Sequence, residues 1–344
     1  MSADALPIDA AARAAEARVR ADARLLVAVD DLLLPDDGRL DEQTRLGVTR
    51  LLIDTVEALE VELRRQAGRL LAARGAVPTA EAVLRGSGAA ARLLRAGLLR
   101  DEALIEALLA HVRAQLIAAA LPVVAGGADE ASLLVRLAAV PDRVVAGAAR
   151  ALLVADSGAA VTLSAEVQHR LVWSVAAAIR PVAEDPASDR AIAEAASRSL
   201  GAHDEGVGRE AIAMRLAQAV DARPDELAGL LLEALGDRRL SFFTAVLAHA
   251  VGLDYAQAQA LVLEPEGDRL WLALRAAQLD RQTIARLALA LSDADPRRDI
   301  EAFADEIDRI AAVEPGAARL ALVPETLEPD FRAAIRALAR AARR

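Results

Sequence analysis

The chain has 344 residues, of which 55% are hydrophobic and only 2% aromatic, so its core must be built mainly from Ala, Leu, Val and Ile. Its net charge is −10 at pH 7, which argues against a nucleic-acid partner, because such partners select a concentrated basic face. Cysteine, lysine and asparagine are all absent, which excludes disulfides, thiolate and Schiff-base catalysis, and the lysine of a phosphate-binding loop.

No stretch of the sequence predicts a membrane span. The longest uncharged run, AQLIAAALPVVAGGA, has about 15 residues and is broken by Pro122 and by Gly126-Gly127, whereas a spanning helix needs roughly 20 apolar residues. The N-terminal residues carry charges where a signal peptide needs its apolar centre. We therefore expect a cytoplasmic protein.

The first half of the chain contains one long predicted helix. Asp41 is placed to cap a helix that runs from about Glu42 to Arg74. Glu60 and Arg64 lie four residues apart on this helix, in the order that favours an ion pair. Further N-caps are predicted at residues with short polar side chains: Thr79, Asp101, Asp142, Ser164, Asp254 and Asp280.

The glycine-rich segment RGSGAAARLL does not indicate a nucleotide site. Gly86, Gly88 and Ala91 have the spacing of the dinucleotide fingerprint, which requires a preceding β-strand. The segment before them, TAEAVLR, favours a helix. We therefore assign no nucleotide site here, and we expect no cofactor.

An imperfect internal repeat occupies the C-terminal half. GDRRLSFFTAVLAHAVGLDYAQAQALV is followed by GDRLWLALRAAQLDRQTIARLALAL, and each copy reads Gly-Asp-Arg, an apolar helix, Leu-Asp, and a second helix. A helical hairpin of this kind buries one side of itself by stacking on the next copy. The repeat therefore predicts at least two stacked helical hairpins.

Three segments of the chain resemble a known family. DDGRLDEQTRLGVTRLLIDTVEALEVELRRQAGRLLA, LSAEVQHRLVWSVAAAIR and the Gly-Asp-Arg hairpins are similar to a family of bacterial helical proteins, domain of unknown function 2336. The resemblance covers roughly residues 30–315 and implies an all-helical, HEAT-like fold. Its motifs are packing patterns, so it implies no catalytic residues.

These patterns predict an all-α fold without a sheet, built as an array of short helical hairpins in a HEAT-like solenoid or bundle. Helical periodicity recurs along the chain, and no segment shows the sustained alternation that is typical of half-buried strands. The predicted segments are an N-terminal helix (1–35), an N-terminal helical domain (36–160), a C-terminal helical-hairpin domain (161–314), and a proline-punctuated link with a basic C-terminal helix (315–344).

His169 is the first candidate functional residue. It lies near the edge of the apolar face of a predicted helix, one turn before Trp173. A histidine at this position could accept a phosphoryl group, as in two-component phosphotransfer proteins. The favoured interpretation is a histidine that shields the margin of the core and stacks on Trp173.

The pair His203-Asp204 raises a metal hypothesis. With His169 and Asp254 it imitates the order of ligands in HD-type phosphohydrolases, in which a divalent cation activates water. The pair lies between glycines in LGAHDEGVGRE, however, and this composition favours a solvated turn between helices.

Two predicted helices near the C-terminus carry opposite charge. Glu301, Asp305 and Asp308 form an acidic face, whose default interpretation is a solvated surface. A basic ridge recurs every fourth residue: Arg332, Arg336, Arg340 and Arg344. We predict that the basic tail folds back across the acidic face as a releasable latch.

The sequence as a whole favours a non-catalytic helical-repeat module that binds a protein partner or regulates one. Phosphotransfer through His169 and metal-dependent hydrolysis through His203 and Asp204 remain the alternatives.

Overall fold

The computed structural model describes residues 39–122, 131–158, 161–180 and 185–328, together with positions 331, 334, 335, 338 and 341. These residues form sixteen α-helices and contain no strand, so the predicted all-α class is confirmed. The HEAT-like arrangement stays a prediction.

The helices of the first half are α1 (Glu42–Ala73), α2 (Val77–Arg85), α3 (Ala89–Ala96), α4 (Glu102–Ala120), α5 (Leu133–Leu137) and α6 (Arg143–Asp156). Those of the second half are α7 (Ala165–Ile179), α8 (Pro186–Ala202), α9 (Arg209–Val220), α10 (Pro224–Gly236), α11 (Leu240–Val251), α12 (Tyr255–Val262), α13 (Asp268–Ala276), α14 (Arg281–Ala294), α15 (Ile300–Ala312) and α16 (Pro315–Leu322). Short 3-10 helices occupy Glu205–Val207 and Val323–Thr326.

The chain divides into two compact units, residues 1–47 and residues 48–344. In the described part of the first unit, the Asp41 carboxylate accepts hydrogen bonds from the Thr44 backbone N–H at 2.7 Å and from the Thr44 hydroxyl at 2.6 Å. Asp41 therefore caps the helix that begins at Glu42, as the sequence predicts. The predicted helix over residues 1–35 lies outside the described residues.

In the second unit, the buried apolar side chains form two clusters. The N-terminal cluster joins α1–α4 to α7 and α8, and its members include Leu63, Leu108 and Val172, which are fully buried. Helix α3 packs against α7, and α7 packs against α8. The first four helices therefore share their core with helices that begin more than forty residues further along the chain.

The C-terminal cluster joins α5 and α6 to α9–α16, with Phe242 and Phe243 fully buried in it. Helix α9 packs against α6 and α11, and α13 packs against α16. Helix α4 contributes to both clusters, because Leu108 belongs to the first and Ile117 to the second. It also contacts α11 and α14.

The two clusters draw residues from both sides of the predicted domain boundary at residue 160. The N-terminal cluster includes residues 163–196, and the C-terminal cluster includes residues 117–152. The division of the chain at residue 160 stays a prediction. The segment from residue 315, predicted as a link, begins with helix α16, whose Ala318 and Leu322 are buried.

The predicted pair Glu60–Arg64 is buried rather than exposed, and it fixes the turn between α2 and α3. Arg64 Nε donates to Glu60 Oε1 at 2.9 Å, and Arg64 Nη1 donates to the Val83 carbonyl at the end of α2. Glu60 Oε2 accepts the N–H of Ala89 at the start of α3. One ion pair on α1 therefore satisfies a terminus of each of two neighbouring helices.

Each copy of the sequence repeat in the C-terminal half contains two helices, α11 and α12 in the first and α13 and α14 in the second. Helix α11 packs against α12, whereas α13 packs mainly against α16, so the stacked hairpins stay a prediction. Asp254 and Asp280 cap the second helix of each pair by accepting the N–H groups of Gln257 and Thr283, both at 2.7 Å. The hydrogen bonds from Thr283 also lower the pKa of the Asp280 carboxyl.

The other predicted N-caps are mostly confirmed. Asp101, Asp142 and Ser164 each accept a backbone N–H in the first turn of their helices. The cap predicted at Thr79 is wrong, because Pro78 fits the first turn of a helix and α2 already begins at Val77.

Among the described residues, one helix, α4, has the length and apolar composition of a membrane-spanning helix. The buried core helix of a soluble protein passes the same test, so this is weak evidence. Leu104, Leu108 and Ile117 of α4 are buried in the two clusters. The expected absence of a membrane span stays a prediction.

Candidate functional site

His169 lies on the exposed side of α7, one turn before Trp173. The two rings meet edge to face, with centroids 6.3 Å apart. Val172 and Val175 of the same helix are buried in the N-terminal cluster. This geometry agrees with a histidine at the rim of the core that packs on Trp173, and phosphotransfer through His169 stays a prediction.

Arg170, the neighbour of His169, ties α7 to the start of α4. Its guanidinium donates to the Asp101 carboxylate, with Nε 2.6 Å from Oδ2, and it also pairs with Glu166. The hydrogen bond from Arg170 lowers the pKa of the Asp101 carboxyl. Asp101 therefore caps one helix and anchors a second.

His203 and Asp204 follow the end of α8 and bond to different parts of the backbone. His203 Nε2 lies 3.0 Å from the Leu163 carbonyl oxygen, and Asp204 Oδ1 accepts the N–H of Gly206 at 2.8 Å. Across the described part of the chain, no group of three or more His, Asp or Glu side chains is gathered for a metal. The HD-type alternative stays a prediction. Within the described residues, the His203 and Asp204 side chains form hydrogen bonds with backbone groups.

The predicted acidic face lies on α15, where Glu301, Asp305 and Asp308 are exposed opposite the buried stripe of the helix. Asp308 pairs with Arg281 of α14, with Nε and Oδ1 2.6 Å apart. The basic ridge predicted to cover this face lies outside the described residues: Arg332, Arg336, Arg340 and Arg344. The latch therefore stays a prediction.

A polar cavity of about 200 Å³ lies where α4, α6, α9, α11 and α12 meet. Small-molecule sites commonly combine such a concavity with convergent polar groups. Its polar lining comprises His111 and Gln115 of α4, Asp156 of α6, Arg209 and Glu210 of α9, Arg238 and Arg239 of the α10–α11 turn, Ser241 of α11, and Tyr255 and Gln259 of α12.

Three helices begin at the wall of this polar cavity: α9 at Arg209, α11 at Leu240 and α12 at Tyr255. The first N–H groups of a helix carry partial positive charge and bind anions readily. Asp254 caps α12, whereas α9 and α11 have no side-chain hydrogen bond at their N-caps. Two uncapped helix N-termini therefore contribute positive potential to one small cavity.

Three buried nitrogen atoms of this wall have no hydrogen-bond partner among the described residues: His111 Nε2, Arg209 Nε and Arg239 Nε. The His111 side chain is 5% exposed. Burial, together with the nearby charge of Arg209, lowers the pKa of His111 to about 4, so the imidazole is neutral at pH 7. A buried N–H without an acceptor costs about 1–3 kcal/mol.

Asp156 compensates part of the positive charge. Its carboxylate accepts hydrogen bonds from Arg239 Nη1 at 3.2 Å and from the Ser241 hydroxyl at 3.3 Å, and it lies 3.8 Å from Arg209 Nε. Glu210 supplies the second carboxylate of the wall. With Arg238 included, the cavity has three guanidinium groups against two carboxylates, which is a formal excess of one positive charge.

Arg238 is held at the wall by an uncommon backbone conformation. Its φ is +58°, in the left-handed region that non-glycine residues seldom adopt, and its Nε donates to the Leu121 carbonyl at 2.7 Å. Such conformations persist where the surrounding structure requires them. Tyr255 faces the same space as a neutral phenol, because burial raises its pKa.

Sequence reasoning does not find this polar cavity. Its residues come from five helices spread over about 150 positions, and the Arg238-Arg239 pair is interpreted only as the start of a repeated hairpin. His111 has no charged residue within four positions except Arg113, so it resembles a core histidine in the sequence. The one available signal is a double arginine placed directly before an apolar helix.

Helix α6 presents a second candidate site. Val145, Ala149 and Leu152 are buried in the C-terminal cluster, while Val144 and Val154 on the other side are 69% and 73% exposed. Between these valines, Gly147 is exposed, and Ala148 and Ala151 are half-buried against the C-terminal cluster. The described residues therefore leave Val144, Gly147 and Val154 uncovered, and we call this apolar area the α6 stripe.

A larger cavity, of about 540 Å³, lies between α10 and α14. Leu232, Leu289 and the Arg136–Glu233 ion pair line it, and it ends at Pro122 and Ala131. Those two residues flank positions 123–130, which are outside the described residues, and we assign no site to this cavity.

One known family matches the chain. The family model for an uncharacterised protein conserved in bacteria (DUF2336) matches residues 158–320, which confirms the family resemblance over a shorter span than the predicted 30–315. No curated protein and no solved structure matches the chain.

Proposed function

We propose that this chain, of which residues 158–320 are a DUF2336 domain, is a non-catalytic helical-repeat module that binds a protein partner in the bacterial cytoplasm. The observation that carries the proposal is the α6 stripe. A helix that is apolar on all sides is normally buried on all sides. Exposed apolar patches are often sites of protein–protein interaction. The stripe therefore offers a surface for a second protein.

The chemistry of α6 supports a protein partner. Between Arg143 and Asp156 the helix has one charged residue, Arg150, so an approaching apolar surface would desolvate little charge. Helix α5, which packs against α6, carries a further exposed valine, Val135, at 47%. Fully burying a valine contributes about 1.5 kcal/mol, so the two α6 valines alone could contribute about 3 kcal/mol to association.

The test is affinity capture with the 344-residue chain in extracts of its native host, comparing wild type with Val144→Glu/Val154→Glu. We expect a stoichiometric partner in the wild-type sample and its loss from the double variant, followed by the same result with the two purified proteins. The control is Val61→Glu, since Val61 is also an exposed valine, at 53%, but lies on α1.

Two outcomes would reject this proposal. The first is that the double variant retains every partner that wild type captures. The second is a marked loss of thermal stability in the double variant, because exposed substitutions normally change the free energy of unfolding by less than about 0.5 kcal/mol. A larger loss would mean that the chain itself covers the α6 stripe.

A further inference from the structure

We propose that the predicted basic C-terminal helix, over residues 331–344, lies on the surface of an anionic lipid membrane, with Phe331, Ile335 and Leu338 inserted among the lipids. The helix involved is not α6, so the α6 stripe plays no part in this contact. Two observations support it: an apolar helix face that the chain leaves uncovered, and the arginines that accompany this face in the sequence.

The uncovered face is formed by positions 331, 334, 335, 338 and 341, which are helical and exposed. Their spacing of three or four residues places them on one side of a helix. The large side chains among them are 57% (Phe331), 45% (Ile335) and 72% (Leu338) exposed. The described part of the chain therefore leaves these five positions open to solvent as an apolar stripe, which we call the tail stripe.

The start of this helix is held by Glu328. Its carboxylate accepts the backbone N–H of Phe331 at 2.9 Å, which satisfies one of the free donors of a helix N-terminus. Phe331 is therefore fixed at the first turn, while its ring stays 57% exposed.

The sequence accompanies the tail stripe with charge of one sign. Residues 331–344 contain five arginines and no aspartate or glutamate, although the whole chain has a net charge of −10. A period of 3.6 residues predicts that all five fall on the side opposite the tail stripe: Arg332, Arg336, Arg340, Arg343 and Arg344. Large apolar residues on one side and arginines on the other are typical of helices that lie in a membrane interface.

An anionic membrane matches both sides of this helix. Its acyl region accepts the apolar side chains of the tail stripe, and its head groups carry the charge opposite to that of the arginines. A second copy of the chain would bring two sets of five arginines together, and like charges repel. The acidic face of α15 could neutralise the arginines, but Glu301, Asp305 and Asp308 give the tail stripe no apolar cover.

Length and charge place the helix in the membrane surface rather than across it. Fourteen residues of α-helix are about 21 Å long, whereas the hydrocarbon core of a bilayer is roughly 30 Å thick. A basic residue near an anionic surface strengthens association about fivefold, and salt screens this attraction. The contact is therefore reversible and depends on ionic strength.

The test is co-sedimentation of the 344-residue chain with vesicles of equal parts phosphatidylglycerol and phosphatidylcholine, compared with vesicles of phosphatidylcholine alone. We expect binding to the anionic vesicles, at least about tenfold weaker binding to the neutral ones, and weaker binding as salt is added. Phe331→Trp places a fluorescent reporter on the tail stripe. Its emission should shift to shorter wavelength when anionic vesicles are added.

The contribution of the apolar side chains is measured with Leu338→Ser. This substitution should weaken vesicle binding about tenfold or more, because the variant buries no leucine at this position. Leu289→Ser is the matched control, since Leu289 is also an exposed leucine, at 53%, but lies on α14. It should bind the vesicles as wild type does.

The contribution of charge is measured with Arg336→Gln/Arg340→Gln. The loss of two arginines should weaken binding to the anionic vesicles about twentyfold, at about fivefold for each. Arg50→Gln/Arg85→Gln is the control, because it removes the same charge from two exposed arginines on α1 and α2. This control should bind as wild type does.

Four results would overturn the proposal. They are no binding of the wild-type chain to anionic vesicles, equal binding to neutral vesicles, wild-type affinity in either tail variant, and a marked fall in the melting temperature of Leu338→Ser. The last would mean that the chain itself covers the tail stripe. Binding to soluble polyglutamate but not to vesicles, unaffected by Leu338→Ser, would assign the helix to an acidic polypeptide instead.

Discussion

At the residue scale, burial of His111 makes the stability of the protein depend on pH. The unfolded chain takes up a proton at this histidine near pH 6.5, whereas the folded chain does so only near its lowered pKa of about 4. Protons therefore favour the unfolded state between these values. We expect about 3 kcal/mol of stability to be lost as pH falls from about 6.5 to about 4, from 1.36 kcal/mol per unit.

The measurement is urea unfolding at several pH values for wild type and His111→Leu. The substitution should flatten the pH dependence in this window, because leucine takes up no proton in either state. Carboxyls with lowered pKa, such as Asp101 and Asp280, contribute their own loss at lower pH, so they do not mask the effect. An unchanged pH dependence in His111→Leu would contradict the burial argument.

His169 provides the matched histidine comparison. It is exposed, and its visible interaction is the edge-to-face contact with Trp173. His169→Ala should lower the free energy of unfolding by less than about 1 kcal/mol, the usual size of such a contact, and leave any phosphorelay output unchanged. Loss of signalling at an unchanged melting temperature would make His169 a phosphoacceptor instead.

At the element scale, the turn between α2 and α3 depends on the absence of a side chain at Gly86. Its φ is −68°, which any residue adopts, so the requirement is one of space. A Cβ there would lie 2.7 Å from the Arg64 Cζ. Gly86→Ala should displace Arg64 from Glu60 and Val83, at a cost of about 3 kcal/mol for disrupting a buried pair.

Gly229→Ala is the control for this glycine substitution. Gly229 lies in α10, is exposed, and has no atom within 4 Å of an added Cβ. Here alanine should stabilise the protein by about 0.5–1 kcal/mol through helix propensity. Urea midpoints that move in the same direction for both variants would show that steric conflict with Arg64 is not the cause.

The helices show which structural features depend only on residues that are close together in the sequence. Asp254 and Asp280 could be predicted as caps, because a capping carboxylate and the backbone N–H that donates to it lie within four residues. The burial of Glu60 and Arg64 could not, because the partners that bury them, Val83 and Ala89, lie about 20–30 residues away. The polar cavity is the extreme case, since His111 and Tyr255 approach each other only when five helices have packed.

At the scale of the whole molecule, α4 joins the two hydrophobic clusters. Its first half packs in the N-terminal cluster through Leu104 and Leu108, and Ile117 near its end packs in the C-terminal cluster. The chain also crosses between the clusters more than once, since α5 and α6 precede α7 and α8. Neither cluster therefore corresponds to one continuous segment of sequence.

This connectivity predicts cooperative unfolding of the two clusters. The two tryptophans report on them separately, because Trp271 belongs to the C-terminal cluster and Trp173 lies on α7 beside the N-terminal cluster.

Leu63 is fully buried in the N-terminal cluster, and Leu63→Ala should cost about 2–5 kcal/mol. In a Trp173→Phe background, Leu63→Ala should lower the urea midpoint of Trp271 fluorescence, since unfolding one cluster removes α4 from the other. Trp173→Phe alone is the reference. A Trp271 midpoint that stays unchanged by Leu63→Ala would show that the clusters unfold independently, and it would favour two separable domains.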